Sequence, residues 1–119
     1  MDIIERDKTK PFITKDGSEI RELLAHRNSA IRNQSLAEAT VPIGGSTMEH
    51  HHPKTEEIYY LLQGKGQMKI GEESKEVAKG CAIAIPPGQP HKIRNTGNEP
   101  LVFLCCCAPC YEHTDTVIS

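Results

Sequence analysis

The chain has no excess of positive charge and no long apolar segment. Its 119 residues include 14 lysines and arginines against 16 aspartates and glutamates, so the formal net charge is −2. Nucleic-acid-binding proteins usually carry a basic stripe or patch, and this balance disfavours such a partner. No run approaches the roughly 18 apolar residues of a membrane span, and the start MDIIERDKTK lacks a signal-peptide core. We therefore expect a cytoplasmic protein without a membrane partner.

The chain also has few hydrophobic residues, and its cysteines are not regularly spaced. Hydrophobic residues make up 37% of the chain, which leaves little for a thick interior. The length is typical of a single domain, so a small barrel or an oligomer is favoured over a large α/β sheet. Five cysteines, three of them contiguous at Cys105, Cys106 and Cys107, do not form the dispersed framework of a secreted disulfide scaffold. Reduced thiols fit the cytoplasm.

Short apolar runs separated by turn residues are what the chain does contain. The runs are IYYLL, QMKI, CAIAI, HKIR and LVFLCCCA, and clusters such as QGKG, GEES, AKG and PPGQP lie between them. No intervening segment is long enough for a crossover helix, so the pattern predicts an all-β antiparallel sandwich or barrel. The earlier stretch SEIRELLAH permits a short helix or a strand, and we favour the strand because no apolar stripe continues.

The polar ends of the chain suggest three segments within one domain. Residues 1–16 are charged and interrupted by Pro11, which predicts an N-terminal arm. Residues 17–112 form the β-barrel domain. Residues 113–119 form a polar C-terminal tail that packs loosely or reaches a neighbouring subunit.

Two glycine-bounded blocks hold the residues that predict chemistry. The first, GGSTMEHHHPKTEEIYYLLQG, contains His50, His52 and Glu57, and the second, GCAIAIPPGQPHKIRN, contains His91. Alternation along a strand turns His50 and His52 to one side and His51 to the other. A lone histidine is usually just a polar surface residue, but four candidates in this order predict a metal site. Three imidazoles and a carboxylate suit one divalent transition metal (Mn, Fe, Ni, Cu or Zn) with open positions for water or substrate.

The spacing of these blocks resembles the two motifs of the cupin superfamily. Gly44, His50, His52, Glu57 and Gly64 match the first motif, and the second is matched by Gly80, Pro86, Gly88, His91 and Asn95. The resemblance is strict over residues 44–95 and general over 20–110. It implies a compact single-domain cupin (monocupin) with a jelly-roll, or double-stranded β-helix, barrel. It also implies His50, His52, Glu57 and His91 as metal ligands, and a homodimer.

Several further residues are candidates for the pocket. Tyr59 lies on the side of Glu57 and is a candidate catalytic group that hydrogen-bonds substrate or donates a proton, although a strand tyrosine more often only packs. Arg32 and Arg94 are candidate anion clamps or solvated surface residues. Cys105 and Cys107 share one strand face and Cys106 lies on the other, and whichever face is buried, its cysteines are expected to serve as small buried hydrophobes. Cys107 and Cys110 form a CxxC pair with no following helix, which disfavours redox chemistry.

The sequence does not name a reaction, since cupins carry out many. We expect a small metalloenzyme, dioxygenase-like or decarboxylase-like, that acts on a small oxygen-bearing organic acid or enol. An alternative is a non-catalytic binding or sensor module, which the lack of an evident acid/base pair favours. A weaker alternative is a phosphosugar isomerase, which needs a basic pocket and for which Lys54, Lys65 and Lys92 are the candidates.

Overall fold

Short β-strands make up almost all of the regular structure. The computed structural model describes residues 1–119. The strands are β1 (Phe12–Ile13), β2 (Glu19–Leu24), β3 (Ser35–Val41), β4 (His50–His51), β5 (Glu56–Gln63), β6 (Lys65–Ile70), β7 (Glu73–Ala78), β8 (Ala82–Ile85), β9 (His91–Asn95), β10 (Leu101–Ala108) and β11 (Val117–Ile118). The helical elements are single 3-10 turns at Arg6–Lys8 and His113–Asp115, and neither has the length or apolarity to cross a membrane.

The strands form two antiparallel sheets. The six-stranded sheet has the order β1-β2-β3-β10-β5-β8, and the five-stranded sheet has the order β11-β4-β9-β6-β7. From β3 onward the chain passes repeatedly from one sheet to the other, so strands that are distant in sequence become neighbours. This confirms the predicted all-β class and the jelly-roll architecture.

The core lies between the sheets and follows the alternation of the strands. On β5 the side chains of Tyr59 and Leu61 are buried, whereas Ile58, Tyr60 and Leu62 are exposed. On β10 every second residue is buried in the same way, and the burial of Cys105 and Cys107 confirms their expected packing role. The buried cluster comprises Ala39, Val41, Tyr59, Leu61, Met68, Ile85, Ile93, Leu101, Phe103 and Cys105.

Strand β7 was not predicted, because the turn clusters GEES and AKG overlap its two ends. It pairs with β6 in continuous register, from Lys65 opposite Ala78 to Ile70 opposite Glu73. Its side chains are mostly exposed, because an edge strand is held by backbone hydrogen bonds on one side only and needs no apolar face. The expected strand in SEIRELLAH is confirmed as β2.

Both ends of the chain pack on the barrel. In the N-terminal segment β1 pairs with β2, and the Arg6 guanidinium lies 2.9 Å from the Glu38 carboxylate on β3. In residues 113–119, β11 pairs with β4, and the Ser119 amide donates to the Glu49 carbonyl. The tail therefore lies against its own barrel instead of packing loosely, because β4 offers it a free strand edge.

Candidate metal centre

The three predicted histidines and Glu57 come together between the two sheets. His50 on β4 faces His91 on β9 across the strand pair, and His52 follows β4 directly. The imidazole ring centroids are 4.3 to 5.5 Å apart, with ring nitrogens all within 4.8 Å of one another. From β5 in the opposite sheet, Glu57 Oε1 lies 3.4 Å from His52 Nε2 and 3.6 Å from His91 Nε2. All four side chains are buried.

The Nδ1 atom of each imidazole contacts a backbone carbonyl oxygen on the side of the ring away from the cluster. His50 Nδ1 lies 2.7 Å from the Met48 oxygen, His91 Nδ1 lies 2.9 Å from the Gln89 oxygen, and His52 Nδ1 lies 3.2 Å from the Asp115 oxygen. A carbonyl can only accept a hydrogen bond, so these partners assign the proton of each neutral ring to Nδ1. Each Nε2 is then left with a lone pair, the form in which histidine binds a metal.

Two of the converging atoms have no hydrogen-bond partner. Glu57 Oε1 and His91 Nε2 are buried and unsatisfied, whereas buried polar atoms in proteins are nearly always paired. They face each other, and neither has a proton to share when the imidazole is neutral. A cation between them would satisfy both. The donor set, three imidazole nitrogens and one carboxylate, fits a divalent transition metal.

The ionisation of the cluster is set by burial and by mutual charge. Burial alone would raise the pKa of Glu57, but its contacts with His52 and His91 outweigh burial and lower the pKa to about 2. Burial and the neighbouring His91 lower the pKa of His50. Burial also acts to lower the pKa of His52, but contacts with Glu57 and with Asp115 together raise it by more. The Glu57 carboxylate is therefore ionised at neutral pH, and His52 is the imidazole at which a proton competes with a metal.

Asp16 is a site residue that the sequence analysis missed. Its Oδ2 atom lies 3.3 Å from His50 Nε2, although it belongs to the segment expected to be a terminal arm. The run Thr14–Ser18 has the composition of a turn, and this was the available signal in the sequence. Its position beside His50 results from long-range folding, which turn composition does not reveal.

Asp115 and Thr116 in the C-terminal segment were also missed. The Asp115 carbonyl and the Thr116 hydroxyl both lie beside His52 Nδ1, at 3.2 and 3.3 Å. The Asp115 carboxylate accepts hydrogen bonds from the amides of Lys54 and Thr55. The segment thus fixes both His52 and the turn that leads to Glu57.

Tyr59 and Cys107 border the centre but keep their protons. The Cys107 thiol donates to Glu57 Oε2 across 3.2 Å, and burial raises the pKa of that thiol. The Tyr59 side chain lines the cavity, packs against Phe103 at a centroid distance of 4.5 Å, and has its pKa raised well above the usual value by burial. Both groups are hydrogen-bond donors at neutral pH. All five cysteines are free.

The candidate cationic residues do not reach the centre. Arg32 is exposed and donates to the carbonyls of Ser29 and Ile31. Arg94 is exposed on the face of β9 opposite to His91. The proposed roles of these arginines as anion clamps were therefore wrong. The candidate phosphate-binding lysines are exposed as well and do not line the cavity; they are Lys54, Lys65 and Lys92.

Comparison with known proteins agrees with this architecture. A family model described as "Cupin domain" matches residues 37–107. An uncharacterized protein of Methanocaldococcus jannaschii is 56% identical over 114 residues, which cover 96% of this chain and 91% of that protein. The structure of the polyketide cyclase RemF from Streptomyces resistomycificus is similar, with a TM-score of 0.83, 26% identity and coverage of 99% of this chain and 84% of that one. A predicted oxalate decarboxylase from Thermotoga maritima gives a TM-score of 0.79, 26% identity and coverage of 90% and 98%.

Proposed function

This chain belongs to the cupin domain family, and from that premise we propose that His50, His52, Glu57 and His91 bind one divalent transition metal (Mn, Fe, Ni, Cu or Zn). The observation that carries the proposal is the buried, unsatisfied pair formed by Glu57 Oε1 and His91 Nε2. When bound, such a metal supplies a Lewis acid that stabilises negative charge developing on the oxygens of a ligand. The protein supplies the shape and charge of the surrounding cavity.

The cavity beside the centre is narrow. Its volume of about 40 Å³ holds only a few water-sized groups, since one water needs roughly 10–15 Å³ on this measure. Phe12, Phe103 and Tyr111 contribute aromatic walls, and the Tyr59 ring, which also lines the cavity, lies 6.1 Å from the His91 ring between centroids. These features support a small ligand with some unsaturated or apolar character.

The charges of the cavity select between ligand classes. Asp16, Glu22 and Glu57 line it, and no lysine or arginine does. A phosphorylated sugar or a small dicarboxylate would therefore find no cationic side chain in the cavity, and the carboxylates of Asp16 and Glu57 would repel it. The enol of a hydroxycarbonyl compound carries no permanent charge and can offer two oxygens to a Lewis acid. We propose a small enol as substrate, with an organic acid as the second choice and a phosphosugar disfavoured.

The proposed reaction is dioxygenase-like or decarboxylase-like, with Tyr59 as a catalytic candidate. Its raised pKa makes it a hydrogen-bond donor to a substrate oxygen and not a base. The names of the two solved neighbours are a polyketide cyclase and a predicted oxalate decarboxylase, and they do not agree on one reaction. The enol is favoured because acidic side chains and no basic ones line the cavity, and not because of the similarity to these two proteins.

Metal analysis followed by turnover assays tests this function. Protein purified without added metal is analysed for metal content, reloaded with each candidate ion, and assayed for oxygen consumption and carbon dioxide release. The panel comprises small enols, flavonols and dicarboxylates. We expect turnover with an enol and none with oxalate. Turnover of oxalate alone would contradict the charge argument.

A non-catalytic binding module is the second candidate, and the protonation of the site supports it. Glu57, with a pKa of about 2, is a weak base, and burial keeps the protons on Tyr59 and Cys107. None of these three groups is then poised to accept a proton at neutral pH. If an enol raises the melting temperature of the metal-loaded protein while no metal supports turnover, the binding module is correct.

We also propose that the protein is a cytoplasmic homodimer. Five free cysteines fit a reducing compartment. Ile58, Tyr60 and Leu62 form an exposed apolar row on β5, which we call the β5 patch. A patch of this kind is commonly buried between subunits.

A further inference from the structure

The turn between β1 and β2 holds an acidic side chain in a fixed position. Asp16 Oδ1 accepts hydrogen bonds from the Thr14 hydroxyl at 2.6 Å, the Ser18 hydroxyl at 2.6 Å and the Ser18 amide at 2.9 Å. The Asp16 carbonyl accepts from the Met48 amide at 2.7 Å, and Gly17 adopts the positive φ of 90° that closes the turn. The carboxylate is therefore oriented by three donors on one oxygen, and its backbone is tied to the strand that carries His50.

The second oxygen of Asp16 has no hydrogen-bond donor. It lies 3.3 Å from His50 Nε2, and this nitrogen carries a lone pair because Nδ1 of the same ring donates to Met48. Two acceptors that face each other repel unless a cation lies between them. The Asp16 side chain is 13% exposed, so water reaches the carboxylate only in part.

The contacts of Asp16 match those of Glu57. Glu57 Oε1 lies 3.4 and 3.6 Å from two Nε2 atoms, and Asp16 Oδ2 lies 3.3 Å from the third. Adjacent donors bound to one transition metal at bond lengths near 2.1 Å are about 3 Å apart. The two carboxylates thus lie at comparable distances from different imidazoles of the cluster.

We propose that Asp16 is a second carboxylate donor to the metal, in addition to the four motif residues. The inference rests on the proposed metal-binding function. Two carboxylates neutralise a divalent cation, which strengthens its binding and makes the loaded centre a poor receptor for an anionic ligand. The ammonium group of Lys15 also donates to the carbonyls of His113 and Thr116. The Asp16 turn is thereby linked to the C-terminal segment that orients His52.

Cobalt titration of matched variants tests the role of Asp16. The variant Asp16→Asn keeps an Oδ1 acceptor for Thr14 and Ser18 but removes the charge, and Glu22→Gln removes a charge from the same cavity at a residue held by Arg27. Metal-free wild type and variants are titrated with Co²⁺, and the visible absorption bands report the ligand environment. We expect Asp16→Asn to bind at least about tenfold more weakly, with altered bands, and Glu22→Gln to match wild type.

The outcomes separate this inference from the proposed function. If wild type and Asp16→Asn bind Co²⁺ with equal affinity and identical spectra, Asp16 is not a donor, and the four-residue centre stands. If wild type binds no Co²⁺, both proposals are overturned. Circular dichroism of the metal-free proteins shows whether each variant is folded.

Ser18→Ala provides a second route should Asp16→Asn fail to fold. It removes one donor to Asp16 Oδ1 and leaves the charge in place, so the carboxylate is less well oriented. We expect Co²⁺ binding to weaken several-fold, up to about tenfold. Unchanged affinity and spectrum in a folded Ser18→Ala protein would overturn the inference.

Discussion

At the scale of single residues, the hydrogen bonds behind the imidazoles explain why the centre is organised. Met48 and Gln89 supply the carbonyls for His50 and His91, and each lies two positions earlier in the chain. The acceptor for His52 comes instead from Asp115. Two ring orientations are thus fixed locally by strand geometry, and the third depends on the end of the chain. Such partners set both the tautomer and the direction of the lone pair.

Replacing His91 with alanine is expected to abolish tight metal binding. Loss of a partner behind a ligand typically weakens binding 10–100-fold, so loss of a ligand itself should exceed about 100-fold. Calorimetry with Zn²⁺ measures the change, and His51→Ala is the matched control because His51 points away from the cluster and is partly exposed. Full Zn²⁺ occupancy in a folded His91→Ala protein would contradict the ligand assignment.

Metal affinity is expected to fall as the solution becomes more acidic. The imidazoles must be neutral to bind a metal, and contact with Glu57 raises the pKa of His52, so proton competition begins above the pH at which an ordinary histidine titrates. Glu57, with a pKa of about 2, stays ionised throughout. Zn²⁺ affinity measured from about pH 8 to about pH 5.5 should decrease steadily. An affinity that is constant over this range would refute the prediction.

At the scale of elements, three strands and two terminal segments build the centre. Strands β4 and β9 place His50 opposite His91, and β5 delivers Glu57 from the other sheet. The β1–β2 turn and the C-terminal segment then cover the cluster with Asp16 and Asp115. The ends of the chain therefore take part in the site and do not merely extend from the barrel.

Removing the C-terminal segment is expected to weaken metal binding through His52. A chain that ends at Glu112 lacks the Asp115 carbonyl, and the imidazole loses the partner that orients it, so Zn²⁺ affinity should fall about tenfold or more. A chain that ends at Thr116 is the control, because it loses β11 but keeps the contacts to His52. Calorimetry on both proteins measures the difference. Equal affinities would show that the segment serves stability alone.

At the scale of the whole molecule, the outer faces of the sheets are covered unequally. The N-terminal segment lies over β3, where Arg6 pairs with Glu38, and Arg21 donates to the Thr9 carbonyl. The β5 patch has no such cover, since Ile58 is 51% exposed and Tyr60 43% exposed. An uncovered apolar row on the outer face of a sheet fits an interface with a second copy.

A charge in the β5 patch is expected to separate the proposed dimer. In Ile58→Lys an unpaired ammonium group would be buried at the interface, which opposes association. Light scattering coupled to gel filtration should give a dimer for wild type and a monomer for Ile58→Lys. Lys75→Glu, on the exposed edge strand β7, is the control and should remain dimeric. A monomeric wild type would exclude the dimer.

Much of the fold could be predicted from the sequence, and so could the four motif residues of the site. The residues that the terminal segments bring to the site could not. The inward-facing and outward-facing residues of β5 and β10 could be predicted, because successive side chains on a strand point to opposite faces. The same rule placed His50 and His52 on one side. Strand β7 was not predicted because an exposed edge strand carries no apolar pattern. The arginine clamps were wrong because Arg94 lies on the face of β9 opposite to His91 and Arg32 lies on no strand, where parity gives no information.

The sequence by itself determined the class of fold and the identity of four converging side chains, since both depend on short-range spacing within two blocks. The tertiary structure alone decided that Asp16 faces His50, that Asp115 orients His52, and that no cationic side chain enters the cavity. These are contacts between segments far apart in the chain. Their distances follow from how the two sheets and both termini pack together, and local propensity carries no record of that packing.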